Sequence, residues 1–228
     1  MQFFVFRTLP LHILSVRGMI VLSFEGRHFA MKFVCQRDYP HWLYITRTGL
    51  EEAEQEIGKS TSVSTSGCGL CASVMMADQL IPNCDFNLSD AIDLSYETKA
   101  NHRYGTDYAR YAPVLCERLK LRHEVSHDIA DVHRCLKTGG SVIVLVQGKH
   151  DGKLGLFSGS GHYINVIGYE SDGRFAILNP SHEPGKYDVP DRKGRVELKY
   201  DYLVLCDEKN LLEELHQTYP PFYLFWRK

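Results

Sequence analysis

No stretch of this 228-residue chain is apolar for long enough to cross a bilayer. Runs such as Val142–Val146 fall far short of the ~20 residues a membrane-spanning helix needs. Charge of neither sign dominates: 26 Lys+Arg stand against 28 Asp+Glu, a net charge of -2. No basic run supplies locally what the total lacks, so neither nucleic acid nor an anionic membrane surface is an expected partner. No internal repeat is visible. The seven cysteines (Cys35, Cys68, Cys71, Cys84, Cys116, Cys135, Cys206) do not form an even set. At about 25 cal/mol per Å² of buried apolar surface, a chain this long builds a core without covalent staples. The set therefore reads as reduced thiols, and the expected location is cytoplasmic. Residues 1–30 are apolar but broken by Arg7, Pro10, Arg17 and Arg27, which is not the layout of a signal peptide. With Met19 and Met31 as further starts, residues 1–34 are read as an N-terminal extension, a β-hairpin or a poorly constrained segment, ahead of one domain at 35–228.

What is present is 44% hydrophobic and 24% charged residues, the make-up of an ordinary globular domain. Short apolar runs at 11–16, 19–24 and 29–34 suggest strands, with turn signals at Arg17-Gly18 and Glu25-Gly26. Residues 46–67 are acidic, then small and polar, and read as a surface segment entering a Ser/Gly loop. From Cys68 to Leu80 no breaker follows Gly69, and Pro82 ends the stretch, so a helix is expected with Cys68 at its N-terminus. Helices capped by Ser89, Thr106 and Asp128 follow. Strands are then read at 141–146, 162–169, 174–178, 196–204 and 222–226, with one short helix at 208–217. A helical part followed by an antiparallel part is the α+β pattern, with a cleft expected between the two.

A thiol attacks as its thiolate, and a helix N-terminus favours that form by bringing N–H groups and partial positive charge to the sulfur. Cys68, between Gly67 and Gly69, is thus the candidate nucleophile, with a depressed thiol pKa expected. His162 opens a strand and Asn179 ends the next. For a hairpin turning at Ser171-Asp172, paired residue numbers sum to 343, which sets Asn179 opposite Ile164, on the face of His162 and one diagonal step away. An amide there would orient the imidazole and leave its other nitrogen for a thiol.

The order Cys68, His162, Asn179 is that of papain-type enzymes. The blocks Ser66-Gly-Cys-Gly-Leu-Cys-Ala-Ser-Val-Met-Met76, Gly161-His-Tyr-Ile-Asn-Val-Ile-Gly-Tyr169 and Ala176-Ile-Leu-Asn-Pro180 resemble the cysteine, histidine and asparagine/aspartate blocks of peptidase C39-like proteins. The resemblance covers residues 35–228. It implies a papain-like α+β fold, a helical lobe packed on an antiparallel sheet lobe, and a cysteine peptidase acting on a peptide or protein substrate through a thioester acyl-enzyme. No metal or organic cofactor is implied. Gln36, in Gln36-Arg-Asp-Tyr-Pro-His-Trp42, looks like the family's opening glutamine, which implies that it shares an oxyanion hole with the Cys68 N–H. The chain departs from the family at Leu70, where proline is usual, in the extra thiol Cys71, and in its long polar segment before Cys68. Transfer of the acyl group to an amine, as in a phytochelatin-synthase-like enzyme, would use the same residues.

Other signals compete. His123-Glu-Val-Ser-His127 matches the H-E-x-x-H zinc motif, with His133 where a third ligand could stand, so a zinc metallopeptidase using His123, Glu124 and His127 is the alternative. Position 130 is alanine rather than the glycine such a site needs, and an N-cap at Asp128 would take both motif histidines off a helix. Cys68-Gly-Leu-Cys71 is also a C-x-x-C at a helix start, as in thioredoxin-like redox pairs, but no hydrophobic strand precedes it. A papain-like domain that binds peptide without cutting it is the remaining reading.

Overall fold

A computed structural model describes residues 14–16, 19–24, 27–44, 62–81, 83–102, 105–199 and 202–228. The turn signals at 17–18 and 25–26, and most of the polar segment before Cys68, lie outside these residues. In chain order come strands β1 (Leu14–Val16), β2 (Met19–Phe24) and β3 (Arg27–Lys32), a 3-10 turn (Gln36–Asp38), helices α1 (Val63–Ser66), α2 (Cys68–Leu80) and α3 (Leu88–Glu97), the short strands β4 (Asn101–His102) and β5 (Gly105–Thr106), α4 (Tyr108–Arg118), β6 (Leu121–Ser126), α5 (Ile129–Lys137), β7 (Ser141–Val146), β8 (His162–Tyr169), β9 (Phe175–Leu178), β10 (Val196–Lys199), β11 (Leu203–Cys206), α6 (Glu208–Glu213) and β12 (Phe222–Arg227). Helices combine with an antiparallel seven-stranded sheet of order β10-β11-β9-β8-β7-β12-β6, while β1-β2-β3 form a separate antiparallel sheet. Among the described residues no helix is long and apolar enough to cross a membrane.

The alternation of side chains along each strand decides which layer each residue joins. Ile143, Leu145, Tyr163, Leu178, Leu205, Tyr223 and Phe225 face the helical layer of α2, α3 and α4, where they meet Leu70, Met75, Leu94 and Tyr111. Their neighbours Val142, Val144, Ile164, Val166, Ile177, Val204 and Leu224 face the other way, onto Val132 and Cys135 of α5, Phe157, Tyr187 and Leu211. Both faces of the central strands are covered, which is why β7 is buried throughout and reads as an unbroken apolar run. Met31 and Val34 pack into the first of these layers.

Several boundaries differ from the sequence reading, each for a local reason. Asn87, not Ser89, caps α3: its side chain accepts from Ser89 N and Asp90 N while the Asp90 carboxylate accepts from Asn87 N. Asp107, not Thr106, caps α4 by accepting from Ala109 N. Asp128 caps α5 as expected. The expected strand at 196–204 is two strands, β10 and β11, folded on each other. The expected helix at 208–217 ends at Glu213. Residues 121–126, not read as a strand, form β6 at the sheet edge against β12.

Candidate active site

Cys68 opens α2, with Gly67 as the residue before it. The first turn of this helix is anchored at Gly69, whose carbonyl accepts from Tyr108 Oη at 2.7 Å and from Ser73 Oγ at 2.7 Å. A Cβ at Gly69 would lie 2.9 Å from Thr106 Cβ and 3.0 Å from the Tyr108 ring; only glycine lets the helix start this close to β5 and α4. The thiol is 7% exposed. Burial acts most strongly on it, and the backbone N–H groups of Tyr163, the residue after His162, and of Gly69 and Cys68 at the helix start act the other way. These N–H groups favour the thiolate, but burial outweighs them and raises the thiol pKa. The expected depression is thereby overturned: desolvation of the anion exceeds the helix-terminus effect.

His162, 3% exposed, is the first residue of β8, and Asn179 directly follows β9. The pairing Asn165↔Leu178 and Val166↔Ile177 has the sum of 343 that the sequence reading used, which puts His162 and Asn179 side by side on one face. The turn is centred on Ser171-Asp172 as read, with Gly173 N donating to Glu170 O at 3.0 Å, but Glu170 N donates to Arg174 O, so Gly173, at φ +87, makes the loop one residue longer. An irregularity between Val166 and Gly168 absorbs the difference, as a β-bulge does. The Ile167 carbonyl at that bulge accepts from Gln79 Nε2 of α2 at 3.0 Å. Asn165 Nδ2 donates to Ala72 O at 2.9 Å, so β8 is tied to the cysteine helix at two points.

His162 Nε2 and Asn179 Oδ1 are 2.8 Å apart. Asn179 Nδ2 donates to Phe157 O at 3.1 Å and to Tyr187 Oη at 2.9 Å, which fixes the amide with its oxygen toward His162. An oxygen can only accept, so Nε2 carries the proton and Nδ1 is the basic nitrogen. Burial lowers the imidazole pKa most, the nearby Lys186, Arg37 and Arg192 lower it further, and together they outweigh the Asn179 hydrogen bond, pushing it down to about 3. The thiol and the imidazole are therefore both held in their neutral forms.

Gln36 is buried in the 3-10 turn. Its backbone N–H donates to Pro180 O at 2.7 Å, beside Asn179, and its side-chain Nε2 donates to Ser64 O at 2.7 Å in α1. One of the two N–H bonds of its amide is thus committed to the turn just before Cys68. Sequence reasoning missed Ser181, Lys186, Tyr187 and the Phe157 carbonyl. Ser181 and Lys186 sit in a polar stretch indistinguishable from a solvated loop. Only Asn179-Pro-Ser181 carried a local signal: the Ser181 N–H donates to Asn179 Oδ1 at 3.0 Å, the Asx-turn that an asparagine two residues back favours.

The zinc reading is corrected. His123 and Glu124 lie on strand β6, where adjacent side chains point to opposite faces, so they cannot share an ion as two turns of a helix would. The His123 ring stacks on Phe225 with centroids 6.2 Å apart, and Glu124 pairs with Arg134 at 2.8 Å. His133 is engaged by Tyr169 Oη and by Glu208, the latter at 2.7 Å. Among the described residues no group of three His, Cys, Asp or Glu side chains could hold a metal ion. Cys71, one turn from Cys68, is wholly buried in the helical layer as a free thiol whose pKa burial raises well above its ordinary value; that is the setting of a core residue rather than of a low-pKa redox thiol.

No protein-family profile matches the chain, and none of the curated proteins compared with it matches either. Among solved structures it is similar to a "putative C39-like peptidase" from Bacillus anthracis, at 13% sequence identity and a TM-score of 0.46, over 71% of this chain and 88% of that one.

Proposed function

We propose that this chain is a cysteine-type peptidase, a thiol hydrolase of papain-like arrangement acting on peptide bonds. In this reading Cys68 Sγ attacks the carbonyl carbon as His162 Nδ1 takes the thiol proton. The imidazolium then gives that proton to the leaving amine, and the acyl group remains as a thioester. Water, deprotonated by His162, releases the acid and restores the thiol. Asn179 keeps Nε2 protonated and the ring in place. The oxyanion of each tetrahedral intermediate would be held by the Cys68 N–H and by the second N–H of the Gln36 amide. One observation carries the reading: an asparagine whose amide is locked by Phe157 and Tyr187 aims its oxygen at His162 Nε2, and the backbone of the next residue, Tyr163, favours the Cys68 thiolate.

The test is a peptidyl vinyl sulfone, which traps only an assembled thiol and base, alongside turnover of an unstructured protein such as casein. The expected result is a single adduct on Cys68, lost in Cys68→Ala and nearly lost in His162→Ala, with circular dichroism unchanged. Casein cleavage undiminished in Cys68→Ala would overturn the proposal.

A further inference from the structure

Behind Asn179 lies a buried cation without a carboxylate among its hydrogen-bond partners. Lys186 is 6% exposed, and its Nζ donates to Ser181 O and to Ser181 Oγ, each at 2.7 Å. Taking an ammonium out of water is costly unless its charge is used or paired, and here both bonds converge on one serine. Ser181 Oγ lies 3.1 Å from Asn179 Oδ1 and 3.2 Å from His162 Nε2. Arg192, 6% exposed, closes the cluster from behind by donating to Lys186 O at 3.1 Å and Gly155 O at 2.8 Å.

Donor and acceptor roles propagate along this chain of bonds. An ammonium only donates, so Ser181 Oγ accepts from Lys186 and turns its own hydrogen away, toward Asn179 Oδ1. Were that hydrogen given to His162 Nε2 instead, Nε2 would have to be bare and Nδ1 protonated, the wrong tautomer for a base facing a thiol. We infer that Lys186, acting through Ser181, is a positioning residue for His162, holding the imidazole in its neutral, Nε2-protonated form. This rests on the proposed role of His162 as the base. The charged and titratable groups acting on the ring are Lys186 and Arg192 from the segment after β9 and Arg37 from the 3-10 turn, with Tyr187 at one remove through Asn179. Apart from the phenol all are cations, and each opposes a second proton on the imidazole. Lys186 is the nearest of them by hydrogen bonds, and its own pKa is lowered by burial to about 8.

The decisive measurement needs no substrate: nitrogen-15 imidazole resonances of His162 followed against pH in the full chain. The wild-type chain should show Nε2 protonated and Nδ1 bare through the neutral range. Lys186→Met, which keeps the stem and removes the charge, should raise the His162 titration by one pH unit or more, and Lys186→Arg should return it. The acid limb of kcat/KM should move with it, a loss of about tenfold on that limb per unit. A bare Nε2 in the wild-type chain would overturn the inference whether or not Lys186→Met folds. So would an unmoved titration in a folded Lys186→Met. If instead the resonances behave as expected while Cys68→Ala still cleaves peptide, the support of His162 stands and the peptidase proposal falls.

Discussion

The Asn179 side chain makes five hydrogen bonds, to His162, Phe157, Tyr187 and twice to Ser181, and the ranking of substitutions follows from what each deletes. Cys68→Ala removes the proposed nucleophile and should abolish turnover, while truncating a side chain at a helix start leaves the fold intact. His162→Ala should be nearly as severe. Asn179→Ala frees the ring without removing a reacting group and should cost less than either, about 10²-fold or below in kcat/KM; and because His162 and Asn179 act as a unit, the double variant should be little worse than His162→Ala. Additive losses would mean the orienting residue is misassigned. The neutral resting pair makes a second claim. Alkylation of Cys68 by iodoacetamide should climb with pH through the thiol range near 9 and beyond, since burial raises that thiol; a rate plateau below pH 7 would reveal a preformed thiolate. At this scale the sequence reading set Cys68 at a helix start and His162 beside Asn179, because a helix start and a hairpin register are local matters. It could not reach Lys186 or Tyr187, whose roles depend on where a long polar loop returns, nor the sign of the Cys68 shift, which depends on how much protein covers the sulfur.

Elements transmit these positions, and two are open to a direct check. Gly69→Ala would drive a methyl into Thr106 and Tyr108 and should destabilise the chain by about 1–3 kcal/mol, as overpacking does, with a further loss of vinyl sulfone trapping because the first turn of α2 must shift. Normal melting and normal trapping would show that this turn is looser than described. Asp128→Ala removes the side chain that accepts from Ala130 N and should cost about 1 kcal/mol with trapping unchanged, because α5 lies on the sheet face away from α2. The mostly apolar elements, α2 and β7, were legible from the residues alone. Strand β6 was not: its residues Arg122, Glu124 and Val125 are exposed at an edge, so the alternation that would betray a half-buried strand is faint, and the histidines drew the eye to a helical motif instead.

The whole molecule carries the charge consequences of so much burial. His162 has a folded pKa of about 3 against an ordinary 6.5, so below 6.5 the unfolded chain binds a proton the folded chain refuses. Folding stability should fall as pH drops through that window, by on the order of 5 kcal/mol in all, and His162→Gln should flatten the acid side of a melting-temperature profile. At the other end all seven thiols are raised by burial, Cys116, Cys135 and Cys206 to about 12. Above pH 9 the unfolded chain sheds thiol protons that the folded chain keeps, and stability should fall again under reducing conditions. A flat profile between pH 9 and 10 would contradict the burial of these groups. The division into helices and an antiparallel sheet was readable from the order of patterns, whereas the covering of both sheet faces was not, since strand order is set by contacts far apart in the chain. One feature of that sheet also says where the chain can be altered harmlessly. Because the bulge between Val166 and Gly168 already reconciles the turn with the register of His162 and Asn179, residues added at the exposed tip between Ser171 and Asp172 need not be counted by the rest of the hairpin. A short epitope or fluorophore-bearing insert at that tip would serve as a reporter handle at the far end of β8 and β9 from the histidine.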